Sequence, residues 1–486
     1  MIESTSAAIS AAARSTVDIL SRAIAAGFCR FRFALRKRPR RGRSVAFVRA
    51  LWTFVLTAIA LKSAPGQAPA QEDSLLEHGT LANCISYAIS HQPAMRQAAI
   101  DEEITEQLIS SKLADWYPQV LFSISAEHYW QIPVSIVGGT PVPVTLTNSS
   151  SGIFSVSQTL FSRDVLLASS TASDVREQAK HRTASTTIDV VVNVSKAFYG
   201  ALLTREQIAL TDDDIVRLQQ SFKDATSQYH SGVVDKTDYE RAMVALNNAR
   251  AERTQDEQLL KARYASLKEQ MGYPPLGALT LEYDTTQMER EVHLDTTQSV
   301  VYDRRVEFQL LQVQKRLAEA EVDYHRLAFL PSLSAFGGYG LNYQSTDLRR
   351  LYNHNYPDSF IGLQLSLPIF EGGKRIQELK QAEWELNRVD FDITAFELAA
   401  NREYVEAMAT YTSNLNTYRV LKQNLDLARD VYHTIQLQYK AGTKTYLELI
   451  SAETDLRSAE VNHTNALYQV LTSKLDVQKA LGTIVP

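Results

Sequence analysis

The sequence is short of several things. Its 486 residues contain two cysteines, Cys29 and Cys84, with 14 prolines and 19 glycines. So few cysteines exclude a disulfide scaffold. Such modest Gly and Pro exclude collagen-like and low-complexity chains. Long apolar runs are missing too. Only Val45 to Leu61 approaches membrane length, and Arg49 interrupts it, which argues against a bundle of membrane-spanning helices. There is no serine nucleophile elbow, no P-loop, no His-Glu-x-x-His and no Cys/His metal spacing, and the ten histidines are scattered. An enzyme, a bound metal and a cofactor are therefore not expected. What is present is 45% apolar and 22% charged residues with a net charge of −5. By length alone that is about three ordinary domains.

The charge is unevenly placed. Residues 1–71 hold 12 Lys and Arg against two acids, Glu3 and Asp18. Taking these from totals of 50 and 55 leaves 38 basic and 53 acidic residues in the remainder. A basic run from Arg36 to Arg43 is followed by the apolar Val45–Leu61 stretch and then by Ala68-Pro69-Ala70, a small-x-small site. That order reads as a secretory signal over residues 1–70 with a long basic region. A basic arm for nucleic acid or a retained single span are the alternatives, and nucleic acid is not expected as a partner. Removal of the signal takes Cys29 with it and leaves Cys84 alone as a buried small apolar residue.

Proline is absent from Val144 to Tyr273, and again from Ile369 to Val485. Proline inside a helix costs about 3 kcal/mol, so both gaps permit very long helices. Ile376, Leu379, Ala382, Leu386, Val389, Ile393, Phe396, Ala400, Tyr404, Ala407 and Tyr411 make ten steps over 35 residues, a period of 3.5. A stripe from Leu449 to Ala480 has nearly the same period, with His463 among its members. A 3.5 period is a coiled-coil seam.

The chain is also duplicated. Tyr229-x-x-Gly232 recurs as Tyr439-x-x-Gly442, and Met271-Gly272 as Leu481-Gly482, both at an offset of 210. Leu160-Phe161 recurs as Ile369-Phe370 at 209, and Pro118 as Pro331 at 213. This divides the chain into a first repeat at 71–272, a connector at 273–297 and a second repeat at 298–486. The connector, with residues 71–80, is placed to wrap the helices midway. Each repeat carries two alternating segments: 119–130 and 151–161, then 332–343 and 359–369. Val120, Phe122 and Ile124 oppose Ser123, Ser125 and Glu127, and Ile361, Leu363 and Leu365 oppose Gly362, Gln364 and Ser366. Alternation over 10–12 residues suits strands that cross a bilayer, apolar outward and polar inward. Tyr129, Trp130, Tyr339, Tyr343, Phe360 and Phe370 sit near strand ends, as interface girdles do. Two hairpins on a soluble core are the alternative. Four strands cannot close a barrel, so copies of the chain must share one. The expected class is a mixed membrane α/β protein, a long α-helical coiled-coil tunnel plus four transmembrane β-strands per chain. The stretches 131–150 and 344–358 are expected to be outward loops.

This layout resembles the TolC-like outer membrane efflux protein family. The resemblance rests on Leu365 to Lys374 (LSLPIFEGGK), Tyr439 to Thr443 (YKAGT), Gln478 to Gly482 (QKALG), and Leu81 with Ala88 to Pro93 (AISHQP). It covers about residues 80–483. It implies a homotrimer in the outer membrane of a Gram-negative bacterium, forming a 12-strand barrel continued by a helical tunnel through the periplasm. It implies partners: outer membrane lipid, a periplasmic adaptor protein, and an inner-membrane pump of RND, ABC or MFS type. It also implies a gate at the periplasmic helix tips. Carried over by position, Asp238 pairs with Tyr439 and Thr237 with Lys444. Glu448 keeps the charge of an acidic ring, while Ser451 departs from a second one. Lys444 and Glu448 are also spaced to pair along one helix. Gly232 and Gly442 end long helices and supply left-handed turns. Phe370, Gly372 and Gly373 turn strand into helix. The run Asp212-Asp213-Asp214 reads as a solvated face. A structural or adhesive surface coiled coil explains the helices but neither the strands nor the duplication.

Overall fold

In a computed structural model the described residues are 76, 78–232, 235–282 and 285–484. The expected signal segment at 1–70 lies outside them. Helix α1 (Leu81–His91) starts at Thr80, whose hydroxyl accepts from the Asn83 amide, and α2 (Pro93–Leu113) starts with proline at its first position. Pro118 then turns the chain into strand β1 (Gln119–His128). A small hairpin follows, β2 (Val134–Val137) and β3 (Thr140–Pro143), and then β4 (Asn148–Phe161). Ser162 caps α3 (Arg163–His230), which runs 68 residues, about 100 Å at 1.5 Å per residue. After Gly232 the chain returns as α4 (Lys236–Met271).

The second half repeats the order. A short helix, α5 (Thr285–Glu291), lies in the connector. Then come α6 (Val306–Leu327), β5 (Ser332–Ser345), β6 (Asp358–Ser366), α7 (Lys374–Lys440, 67 residues) and α8 (Tyr446–Ala480). Gly373, with φ of +84°, is the residue from which α7 starts, and Gly372 is also left-handed. Phe370 is exposed beside them. Strand β6 ends at Ser366 rather than Ile369, because Pro368 has no amide to donate to a ladder. The stretch 131–150 is not a plain loop. It holds the β2–β3 hairpin, turned by Gly138 and Gly139 at φ of +59° and +85°.

The four long strands form one antiparallel sheet in the order β1-β4-β5-β6. Its register is continuous: Phe122 faces Phe154, Phe154 faces Tyr339, and Gly337 faces Ile361. One face therefore carries Val120, Phe122, Ile124, Phe154, Val156, Tyr339, Ile361, Leu363 and Leu365, and these apolar side chains are exposed. The other face carries Ser123, Ser125, Ser151, Ser155, Asn342 and Gln364. Phe360 departs from the girdle expectation. It shares the polar face with Phe336, and each ring lies over a cross-strand glycine, Gly338 and Gly362.

The helices pack as two hairpins, α3 with α4 and α7 with α8, and α3 also lies along α8. Small buried residues line these helices, among them Ala452, Ala466 and Ala480 on α8 and Ala382 and Ala400 on α7. The main core is halfway along the helices. Phe198, Leu202, Leu267, Met271, Tyr411, Val470, Leu471 and Val477 pack there with Cys84 and Tyr87 of α1. Cys84 is fully buried, and burial pushes its thiol up to about 11, so it is an inert core residue. The connector lies against this level. Gly79 bridges to Leu281, and the buried Tyr411 hydroxyl donates to the Val292 carbonyl at 2.8 Å. Lys422 and Tyr418 bind the Glu289 carboxylate at 2.9 and 3.2 Å.

Candidate functional site: the helix tips

The two hairpin turns are built alike. Gly232 and Gly442 follow the long helices at φ of +70° and +76°, a region side-chain-bearing residues avoid. Asp235 and Thr445 then cap the return helices. At Thr445 the cap is a full box. The Thr445 hydroxyl accepts from the Glu448 amide, and the Glu448 carboxylate accepts from the Thr445 amide at 2.9 Å.

That box decides what Glu448 and Lys444 do within one chain. Lys444 Nζ stands 2.5 Å from Glu448 Oε1. The Lys444 ammonium first, and the Thr445 amide and hydroxyl next, hold the exposed Glu448 carboxyl down at about 2. Lys444 thus binds Glu448, and the expected Lys444–Thr237 contact is not formed within the chain. Tyr439 likewise differs from expectation. Its hydroxyl donates to Gln228 Oε1 of α3 at 3.1 Å, not to Asp238. Asp238 lies in the first turn of α4, close enough for its charge to raise the Tyr439 hydroxyl behind the larger effect of burial. Thr237 and Ser451 are exposed. Just above these groups the hairpins touch through Ala225, Ala242, Tyr446 and Leu449.

About two to five turns above the tips, the seam between α3 and α8 changes character. Asp214 is buried there, so the Asp212-Asp213-Asp214 run is not a solvated face. Asp212 binds Arg253 of α4, and Asp214 points inward to Arg217 and Arg457. Helical spacing explains the split, since neighbours in sequence point about 100° apart. Glu453 and Glu460 of α8 are buried beside them. Higher still, His463 packs against Tyr418 with tilted rings whose centroids are 5.3 Å apart. Among the described residues no cluster of three His, Cys, Asp or Glu could hold a metal.

An exposed apolar sheet face, helices of about 100 Å and a pair of tied tips suit a membrane-anchored conduit. The model of the outer membrane efflux protein family matches residues 84–273 and 300–483, and the chain belongs to that family. It is 22% identical over 414 residues to the outer membrane protein TolC of Vibrio cholerae, covering 83% of this chain and 91% of that protein. It is 22% identical over 400 residues to the alkaline protease secretion protein AprF of Pseudomonas aeruginosa, covering 79% and 81%. Its fold matches the CmeC outer membrane channel of Campylobacter jejuni with a TM-score of 0.66 at 16% identity, covering 83% of this chain and 86% of that one.

Proposed function

We propose that this protein is the outer membrane channel of a tripartite efflux or secretion system. It is a passive duct whose strands cross the outer membrane and whose helices extend into the periplasm. The observation that carries this is the sheet. Its apolar face is exposed, its other face is polar, and the outer edges of β1 and β6 have no partner strand among the described residues. Open edges do not persist in lipid. Three copies pairing β6 to β1 make a 12-strand barrel wide enough for a lumen.

The helices support the same assembly. Trp384, Phe391, Leu398 and Val405 repeat every seven residues on α7, and the first three are each at least 70% exposed. Ile100, Ile104 and Leu108 form a matching exposed stripe on α2. Two unpaired stripes on different helices suit a head-to-tail ring of copies.

A duct carries no energy source, so an inner-membrane pump and a periplasmic adaptor complete the system. The cargo is small toxic molecules or proteins. Thr237, Asp238, Tyr439, Lys444 and Glu448 form the gate at the tips. The test is fractionation and crosslinking after export. An outer-membrane trimer with single-channel conductance in planar bilayers is expected. A soluble periplasmic monomer would sink the reading.

A further inference from the structure

The α3–α8 seam buries a carboxyl that has no hydrogen bond. Glu453 lies about 10 Å along α8 from its start and is 3% exposed. Neither of its carboxylate oxygens has a hydrogen-bond partner. Four helices face this place. From α3 come Asp214 and Arg217, from α4 Glu252, and from α7 Tyr432 and Arg429. Helix α8 itself adds Tyr446, Arg457 and Glu460.

Arg217 is shared among three carboxyls and keeps its Nε without a hydrogen bond. Arg217 Nη2 is 3.3 Å from Asp214 Oδ1 and 3.3 Å from Glu460 Oε2, and its Nε remains 4.0 Å from Glu453 Oε1. Arg457 binds Asp214 and Glu252. Arg429 acts on Glu460. Asp214, Glu453 and Glu460 are buried among these guanidiniums, while Glu252 lies at the exposed rim. Glu453 is the carboxyl with both oxygens unbonded, and the Arg217 Nε and Tyr446 hydroxyl are buried without a hydrogen bond as well. Among the described residues no cluster of three His, Cys, Asp or Glu could hold a metal there.

We infer that Glu453 is a proton-binding site set into the seam between the two helical hairpins, filled while the hairpins are closed together and emptied when they part. This rests on the proposed opening of the tips. Burial, reinforced by Asp214 and opposed by Arg217, pushes the Glu453 carboxyl up to about 7. Burial also raises Asp214 and Glu460. With the hairpins apart, Glu453 is hydrated and returns to the ordinary carboxylate range.

The closed state thus binds more protons. Below the ordinary range Glu453 is neutral in both states and pH has no effect through it. From there up to about 7 the ratio of closed to open falls roughly tenfold per pH unit. Above about 7 the bias against closure is complete. A mildly acidic periplasm keeps the unengaged duct shut, and a neutral one eases its opening.

The test uses the full-length assembled protein. Its conductance in planar bilayers should rise as pH goes from 5.5 to 8. Infrared spectroscopy should show a protonated-carboxyl band that disappears near pH 7. Glu453→Gln, a neutral isostere, should lose both the band and the pH-dependent rise. Asp214→Asn should move the midpoint of the band toward acid, a shift that a purely structural role would not produce. A Glu453→Gln channel with the wild-type pH response, or a wild-type protein without the band, overturns the inference. A band that titrates near 7 beside a conductance indifferent to pH overturns its coupling to opening. A protein that forms no channels overturns the duct reading instead, and the band alone then decides the proton site.

Discussion

Gly272 and Gly482 hold the same place in the two halves of the chain. Each follows the last helix of its repeat at φ of +66°. A Cβ added to Gly272 would meet the His91 carbonyl oxygen at 2.8 Å, and one added to Gly482 would meet that of Arg304 at 2.8 Å. The next residues, Gln92 and Arg305, are the caps that start α2 and α6. Each repeat is closed by its final glycine pressing on its own entrance.

Gly272→Ala and Gly482→Ala should each destabilise the protein by about 2–3 kcal/mol, from left-handed strain plus a backbone clash that no rotamer relieves. Thermal unfolding of the assembled protein checks this. Gly138→Ala, where the added carbon meets nothing within 4 Å, isolates the strain alone and should cost about 1 kcal/mol.

Tyr411→Phe removes the donor to the Val292 carbonyl in the middle of the helices. A buried acceptor left unpaired costs about 1–3 kcal/mol. Limited proteolysis should cut the connector at 273–297 faster than in the wild type. An unchanged cleavage rate would show that the connector is held elsewhere.

Lys444→Ala strips the main partner from Glu448. The group is held low, so the wild-type Glu448 stays ionised until pH falls through about 2, and its interaction with Lys444 is lost only there. In the variant its titration should rise toward the ordinary carboxylate range and stop below it, because the Thr445 amide and hydroxyl still bind the carboxylate. Reversal potentials across a salt gradient should show stronger cation preference at neutral pH, lost on acidification below the ordinary carboxylate range.

Tyr439→Phe and Gln228→Ala break one hydrogen bond between α7 and α3. Both should raise mean single-channel conductance, and the double variant should raise it no further than the larger single effect. Additive effects would mean that the two side chains act separately.

Trp384→Asp places a charge in the exposed α7 stripe. Crosslinking should then show loss of the trimer with the monomer still helical by circular dichroism.

Much of the fold was legible because its signals are local and long. Two proline-free gaps located α3–α4 and α7–α8, a constant offset exposed the duplication, and period-two alternation found four strands. The misses are non-local. Asp214 looked like surface because only the packing of α3 along α8, elements from opposite halves, buries it. Glu453 adjoins the 3.5-period stripe at Ala452, and nothing in that period says that a second helix covers its outer flank. Phe336 and Phe360 broke the polar face because Gly338 and Gly362, on the opposing strands, leave room for their rings. At the tips, the Lys444–Glu448 spacing was visible, whereas the Tyr439–Gln228 bond joins residues 211 apart.

The bare edges of β1 and β6 set a demand on timing. A lone copy exposes two strand templates, ready to pair with any passing strand. In the proposed trimer closure needs three copies at once, so correct assembly depends steeply on local concentration, while wrong pairing needs only two. Overproduction without a crowded membrane surface should therefore favour open-ended strand ladders over rings. The cell must hold each subunit apart until its sisters are at hand.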